Sequence, residues 1–161
     1  MCTSRAGFTL VSILVGLLGC DSREAGMDMT ELADFGSRYA SAWSSQDPVL
    51  LASFYSPDGS LTVNDGPPSI GRAAIAATAA DFMTGFPDMV VRMDDISVSD
   101  GRVIFHWHWT GTNTGPGGTG RAVDLRGHEE WAMNEAGEIV ESLGHYDEAE
   151  YVRQVTGEAG R

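Results

Sequence analysis

The chain contains no lysine; all ten of its basic residues are arginine. That absence excludes the chemistries that need an ε-amine, among them Schiff-base catalysis and the phosphate-cradling P-loop. Basic residues are also outnumbered, 23 acidic against 10, for a net charge of −13. A surface of that sign repels phosphate backbones, so nucleic acid is not an expected partner. Cysteine is scarce: Cys2 and Cys20 are the only two, both near the N-terminus. Disulfides, thiol catalysis and cysteine-based metal sites are therefore excluded from everything beyond Cys20. Long like-charge runs and internal repeats are missing too. No apolar stretch reaches the about 20 residues of a membrane span. Hydrophobic residues still make up 42% of the 161-residue chain, enough for one packed domain.

The N-terminus reads as a targeting segment. Arg5 is the only charge ahead of the apolar run from Phe8 to Leu18, and the run ends on a small residue. A basic start, a short apolar stretch and a small residue make a secretory signal. The end of it, Leu17-Leu18-Gly19-Cys20, resembles the bacterial lipobox, in which the cysteine is lipidated and becomes the first mature residue. The resemblance implies a signal peptide over 1–19 and a lipidated Cys20 followed by a polar tether to residue 29. The protein would then be lipid-anchored in the cell envelope, facing the periplasm or the exterior. Each buried CH₂ of the acyl chains would contribute about 0.8 kcal/mol to that anchoring.

The expected domain covers 30–156, with a tail over 157–161. Leu32, Phe35, Tyr39 and Trp43 form one apolar stripe on a helix from about Thr30 to Ser45. Asp47-Pro48 restarts a helix, with Asp as N-cap, Pro at its first position and Leu50, Leu51, Phe54 and Tyr55 on its buried side. Pro57-Asp58-Gly59 reads as a turn before a short strand at Leu61-Thr62-Val63, and Gly66-Pro67-Pro68 as a break. An Ala-rich helix follows over about 71–84, with Ile75, Ala79 and Phe82 on one face. From Met89 onward the period changes to two, giving strands near 89–98, 102–112, 121–133 and 138–146. Asp100-Gly101 and Ala136-Gly137 make hairpin turns. Asp147 caps a last short helix. Helices first, then an antiparallel meander, is an α+β order, with helices covering one face of a curved sheet.

Alternation assigns the faces. In strand 121–133, Val123, Leu125, Gly127, Glu129, Trp131 and Met133 share the buried side, and Glu129 is its only carboxylate. Burial disfavours a charged carboxylate, so its pKa is expected to rise. In strand 102–112 the buried face carries Phe105, Trp107 and Trp109, an aromatic platform for an apolar ligand. Ser142 and Tyr146 are the expected pocket residues of the last strand. His106 and His108 share the outer face two residues apart, a spacing that two metal ligands can use, with His128 or Glu130 as a third. That face is read as plain surface or interface, and neither a metal nor a cofactor is expected.

The order of these motifs resembles known families. Asp47, Leu51 to Phe54 and Pro57-Asp58 resemble the opening of nuclear transport factor 2-like proteins. Thr110-Gly111-Thr112, Thr119-Gly120-Arg121, Gly127 and Ala136-Gly137-Glu138-Ile139-Val140-Glu141 resemble the SnoaL-like polyketide cyclase branch. The resemblance implies a cone of bent antiparallel sheet wrapped by about three helices around an apolar pocket. It also implies a homodimer through the outer sheet face. Glu129 falls where ketosteroid isomerase-type members carry a protonated acid that donates to an oxyanion, and Tyr39 matches their oxyanion tyrosine. Their general base would fall near Val63, where neighbouring Asp65 is the one candidate to replace it. Cyclase-like members often show His-Trp-Asp where this chain reads Ser142-Leu143-Gly144. That departure tilts the expectation from an isomerase, cyclase or dehydratase using Glu129, Tyr39 and Asp65 toward a domain that binds a small apolar molecule.

Overall fold

The computed structural model describes residues 27–157. Residues 1–26, on which the expected signal peptide and the lipidated Cys20 fall, and residues 158–161 lie outside the described residues. Helix α1 spans Met29–Ser44 and is opened by a capping box one turn ahead of its apolar stripe. Asp28 accepts from the amides of Thr30 and Glu31, and the Glu31 carboxylate accepts from the amide of Asp28. Leu32, Phe35 and Tyr39 are buried along one face, and the helix packs chiefly across the strand Val90–Ser99. Helix α2, Pro48–Ala52, starts at the Asp47-Pro48 signal, with the Asp47 side chain accepting from the amides of Val49 and Leu50. Helix α3 runs Arg72–Gly85 and buries Ile75, Ala79 and Met83. Helix α4, Glu148–Thr156, is capped by Asp147. No described helix is long and apolar enough to cross a membrane.

Six strands form one sheet: β1 Tyr55–Val63, β2 Ser69–Ile70, β3 Val90–Ser99, β4 Arg102–Thr112, β5 Ala122–Met133 and β6 Ile139–Tyr146. Their order across the sheet is β2-β1-β6-β5-β4-β3. The meander β3 to β6 is antiparallel, while β1 lies parallel to β6. The sheet is not closed, with β2 and β3 as its edges, and four helices accompany it among the described residues.

Two expectations fail around β1. Pro57-Asp58-Gly59 is not a turn; it lies within the strand, where the register against β6 jumps between Tyr55 and Ser60. A proline has no amide hydrogen to give a ladder, and this irregular stretch asks none of it. Tyr55, expected on the second helix, instead opens β1 with its ring fully buried.

The core has two levels. Trp131 and Phe105 stack face to face, 4.7 Å apart at 19°. Tyr39 meets Trp131 and Phe105 edge-on at 4.9 and 5.5 Å. Tyr39, Tyr55, Phe105, Trp131, Leu51, Ile75 and Ile139 have essentially no solvent contact. Nearer the β6–α4 end the filling is incomplete, and a cavity opens.

Candidate functional site

The cavity has a volume of about 70 Å³ and is partly open to solvent. Trp107 and Trp109 reach it from β4, Trp43 from α1, Phe82 from α3 and Tyr146 from β6. These rings brace one another edge to face: Trp43 on Phe82 at 6.0 Å, Phe82 on Trp109 at 5.9 Å and Trp107 on Tyr146 at 6.4 Å. Leu61, Val63, Met89 and Val91 fill the rest of an apolar wall. Helix α4 borders these rings, with Tyr151 stacked on Trp109 at 6.0 Å. It is pinned there by Gln154, which exchanges hydrogen bonds of 2.6 and 3.0 Å with the backbone of Asp124.

Gly127 lets this wall form. It lies directly opposite Trp107 on β4 and Tyr146 on β6. A Cβ at this position would collide with the Trp107 ring and with the carbonyl of His145. The indole rests where a side chain would otherwise stand.

The one acid in the cavity wall is Glu129. Its Oε2 accepts three hydrogen bonds, from Tyr39 Oη at 2.9 Å, Trp131 Nε1 at 2.8 Å and Ser142 Oγ at 2.6 Å. Tyr39 is backed in turn by the Tyr55 hydroxyl at 2.7 Å. With Tyr39 donating to the carboxylate, Tyr55 donates to Tyr39, and a relay of two phenols ends on the acid. Oε1 makes no hydrogen bond among the described residues, and Glu129 lines the cavity. The carboxyl is thus held rigidly by one oxygen and presents the other.

Burial pushes the Glu129 pKa up, and the donors Ser142, Trp131 and Tyr39 only partly oppose this. Both phenols are held well above their usual value, by burial first and by the charge of Glu129 second. They remain donors throughout the physiological range. Burial likewise raises Tyr146, the other titratable group in the wall.

The expected site residues separate in space. Glu129, Trp107, Trp109 and Tyr146 line the cavity. Tyr39, Phe105, Trp131 and Ser142 do not; they lie one level deeper, fully buried, and Tyr39, Trp131 and Ser142 reach the site through their hydrogen bonds to Glu129. Asp65 is exposed in the turn after β1 and points away from the cavity set, lining instead a groove on the outer sheet face. Trp43, Phe82 and Gly144 were missed as wall residues. The helical stripes that carry Trp43 and Phe82 were visible but read as core.

The SnoaL-like domain family matches residues 37–142. The chain belongs to this family. The match runs from α1 to Ser142 and so includes Glu129 and every one of its donors. Among solved structures, a protein of ketosteroid isomerase-like fold from Catenulispora acidiphila, in complex with trimethylamine, is 17% identical with a TM-score of 0.67. The alignment covers 76% of this chain and 92% of that one. A candidate SnoaL-like polyketide cyclase from a Jannaschia species is 16% identical, TM-score 0.66, over 83% of this chain and all (100%) of its own. A nuclear transport factor 2-like protein of unknown function from Burkholderia pseudomallei is 21% identical, TM-score 0.65, over 77% and 96%. No curated protein matches the chain. At these identities the SnoaL-like neighbours establish the fold, which hosts cyclases and isomerases alike.

Gly144, where the cyclase pattern would carry an acid, pairs with Glu129 across β5 and β6 and forms part of the wall. The cavity therefore holds one carboxyl and one phenol, with no second carboxylate to exchange a proton with the first.

Proposed function

We propose that this SnoaL-like domain binds a small, largely apolar molecule and meets its single polar atom with Glu129. The observation that carries the reading is the free Oε1 of a carboxyl clamped at Oε2 within aromatic walls. Few, well-placed polar groups in an apolar lining are how small-molecule sites fix orientation. Protonated, the acid donates from Oε1 to a ligand carbonyl while Oε2 goes on accepting from its three donors. Binding is favoured over turnover because Asp65 stays outside and position 144 is glycine. A cavity of about 70 Å³ is well below the about 150 Å³ that holds benzene, so the ligand is small or α4 yields to admit it.

A second reading is favoured by the aromatic walls themselves. Ring faces around an ionised carboxylate suit a small alkylated ammonium ion, and the Catenulispora neighbour was solved with trimethylamine. Calorimetric titration with cyclopentanone and with trimethylammonium, across pH and on Glu129→Gln, separates the two. A raised folded pKa means that Glu129 stabilises the fold below its unfolded value of about 4.3 and loses that contribution as pH rises through the folded value. Over the same window ketone binding should weaken and ammonium binding strengthen. Glu129→Gln keeps the shape and a donor, so it should fold at least as stably at neutral pH, hold the ketone and lose the ammonium. Failure of both probes to bind, with nothing retained by the purified protein in native mass spectrometry, refutes a ligand site here.

We further infer that the domain is tethered to the membrane through Cys20, on the strength of the lipobox and its apolar run. Palmitate labelling and globomycin-sensitive processing are expected in the native chain and absent in Cys20→Ala. Normal maturation and release of the variant at wild-type size would overturn the anchor.

A further inference from the structure

On the face of the sheet opposite the cavity, three histidines stand in one row across three strands. His106 on β4 is directly opposite His128 on β5, which is directly opposite His145 on β6. Ring centroids are 5.7 Å apart for the first pair and 5.0 Å for the second. Glu130, two residues along β5 from His128, puts its Oε1 3.8 Å from His128 Nε2. One ligand atom from each of His128, Glu130 and His145 lies within 4.8 Å of the other two. All three side chains are half-buried, and no hydrogen bond of the described residues engages the His145 ring.

We infer that His128, His145 and Glu130 form a binding site for a late first-row divalent cation of the Zn²⁺ class. Two imidazoles and one carboxylate are a recurrent zinc set that leaves a coordination position open. With bonds of about 2.0–2.1 Å, a tetrahedral centre holds its ligand atoms about 3.4 Å apart. Rotamer adjustments of half-exposed side chains cover the difference from the 4.8 Å spread seen here. The strand pairing fixes the histidine Cα positions and so pre-organises the set. The neighbouring groove, lined by His128, His145 and Asp65, carries further acids in Asp147 and Glu148. These acids and the net charge of −13 favour a cation there. Two arginines oppose it: Arg126 is engaged elsewhere, and Arg102 pairs with Oε2 of Glu130 while Oε1 faces His128. Arg126 pairs with Asp94 at 3.0 Å, and Arg102 holds Glu141 at 2.8 Å against 3.7 Å to Glu130. His108, the outer-face partner of His106 in the sequence, is instead taken by Asp124 at 2.7 Å and stands apart from the row.

The test uses the untagged full-length chain in detergent, titrated with Zn²⁺ against a chromophoric chelator. One ion per chain is expected, with binding complete at about 10 µM free Zn²⁺. His128→Ala and His145→Ala should each weaken binding at least about tenfold. His108→Ala should change it less than about twofold and Glu129→Gln not at all, since neither supplies a ligand. Circular dichroism melts of every variant without metal establish that the fold is retained, and Asn variants replace any that melts early. Absence of binding at about 100 µM Zn²⁺, or equal affinity in wild type and in the His128, His145 double variant, overturns the site.

Discussion

Trp131→Ala is expected to cost the domain about 3–5 kcal/mol, the range for emptying a buried aromatic position. Trp131 has no solvent contact, stacks on Phe105 and is met edge-on by Tyr39 and by Phe35 at 5.6 Å. Its indole N–H is also one of three donors to Glu129, so the truncation removes packing and a partner of a buried acid together. Against a typical domain stability of about 5–15 kcal/mol, the loss is a large fraction. Urea denaturation should show the midpoint falling accordingly. Trp131→Phe, which keeps a ring and drops the N–H, should recover most of the packing and leave a deficit of about 1–3 kcal/mol. An alanine variant within about 1 kcal/mol of wild type would mean that the deep aromatic level contributes far less than its burial implies.

Gly127→Ala carries the second large effect, from one added methyl group. The new Cβ would meet two neighbours at once, the Trp107 ring and the His145 carbonyl. A rotamer change can move the ring, but the carbonyl belongs to the β5–β6 ladder and moves only with the strand. Overpacking of this kind costs about 1–3 kcal/mol and sometimes more. The displaced indole has the cavity beside it, so the cavity should shrink and ligand binding fall along with the thermal midpoint. Near-ultraviolet circular dichroism reports the ring movement directly. An unchanged spectrum and midpoint would show that the strands part easily at this point.

Strand faces were the most legible feature of the sequence. Alternation over β4 and β5 separates Phe105, Trp107, Trp109 and Glu129 from the outward histidines, and the structure keeps every one on its assigned side. Depth along a strand was not legible. Phe105 and Trp107 share a face and differ by two residues, yet one is sealed under Trp131 and the other walls the cavity. A two-residue period carries no information on that difference, because it depends on which ring of another strand fills the space. Asp65 shows a related limit: the resemblance puts the family's base near Val63, but the strand ends there and the turn carries neighbouring Asp65 to the outer groove. The two-residue β2 and the irregular stretch at Pro57 leave no periodic trace at all. Asp47-Pro48 was readable because a cap is a local interaction that needs no partner from elsewhere in the chain.

The parallel pairing of β1 with β6 governs when this domain can fold. Tyr55 at one end of the domain must wait for Ile139, and Leu61 for Ser142. These are contacts of high sequence separation, which close slowly. In synthesis, and in the export proposed above, the N-terminal part emerges first, so α1 and β1 appear long before their central partner. The β3 to β6 meander closes by successive hairpins and can form by itself, whereas the Tyr55–Tyr39–Glu129–Ser142 cluster is assembled only when nearly the whole domain has been made. Until then Tyr39 and Tyr55 stay exposed and β1, paired only with the short β2, keeps an open edge, the kind of edge that invites aggregation.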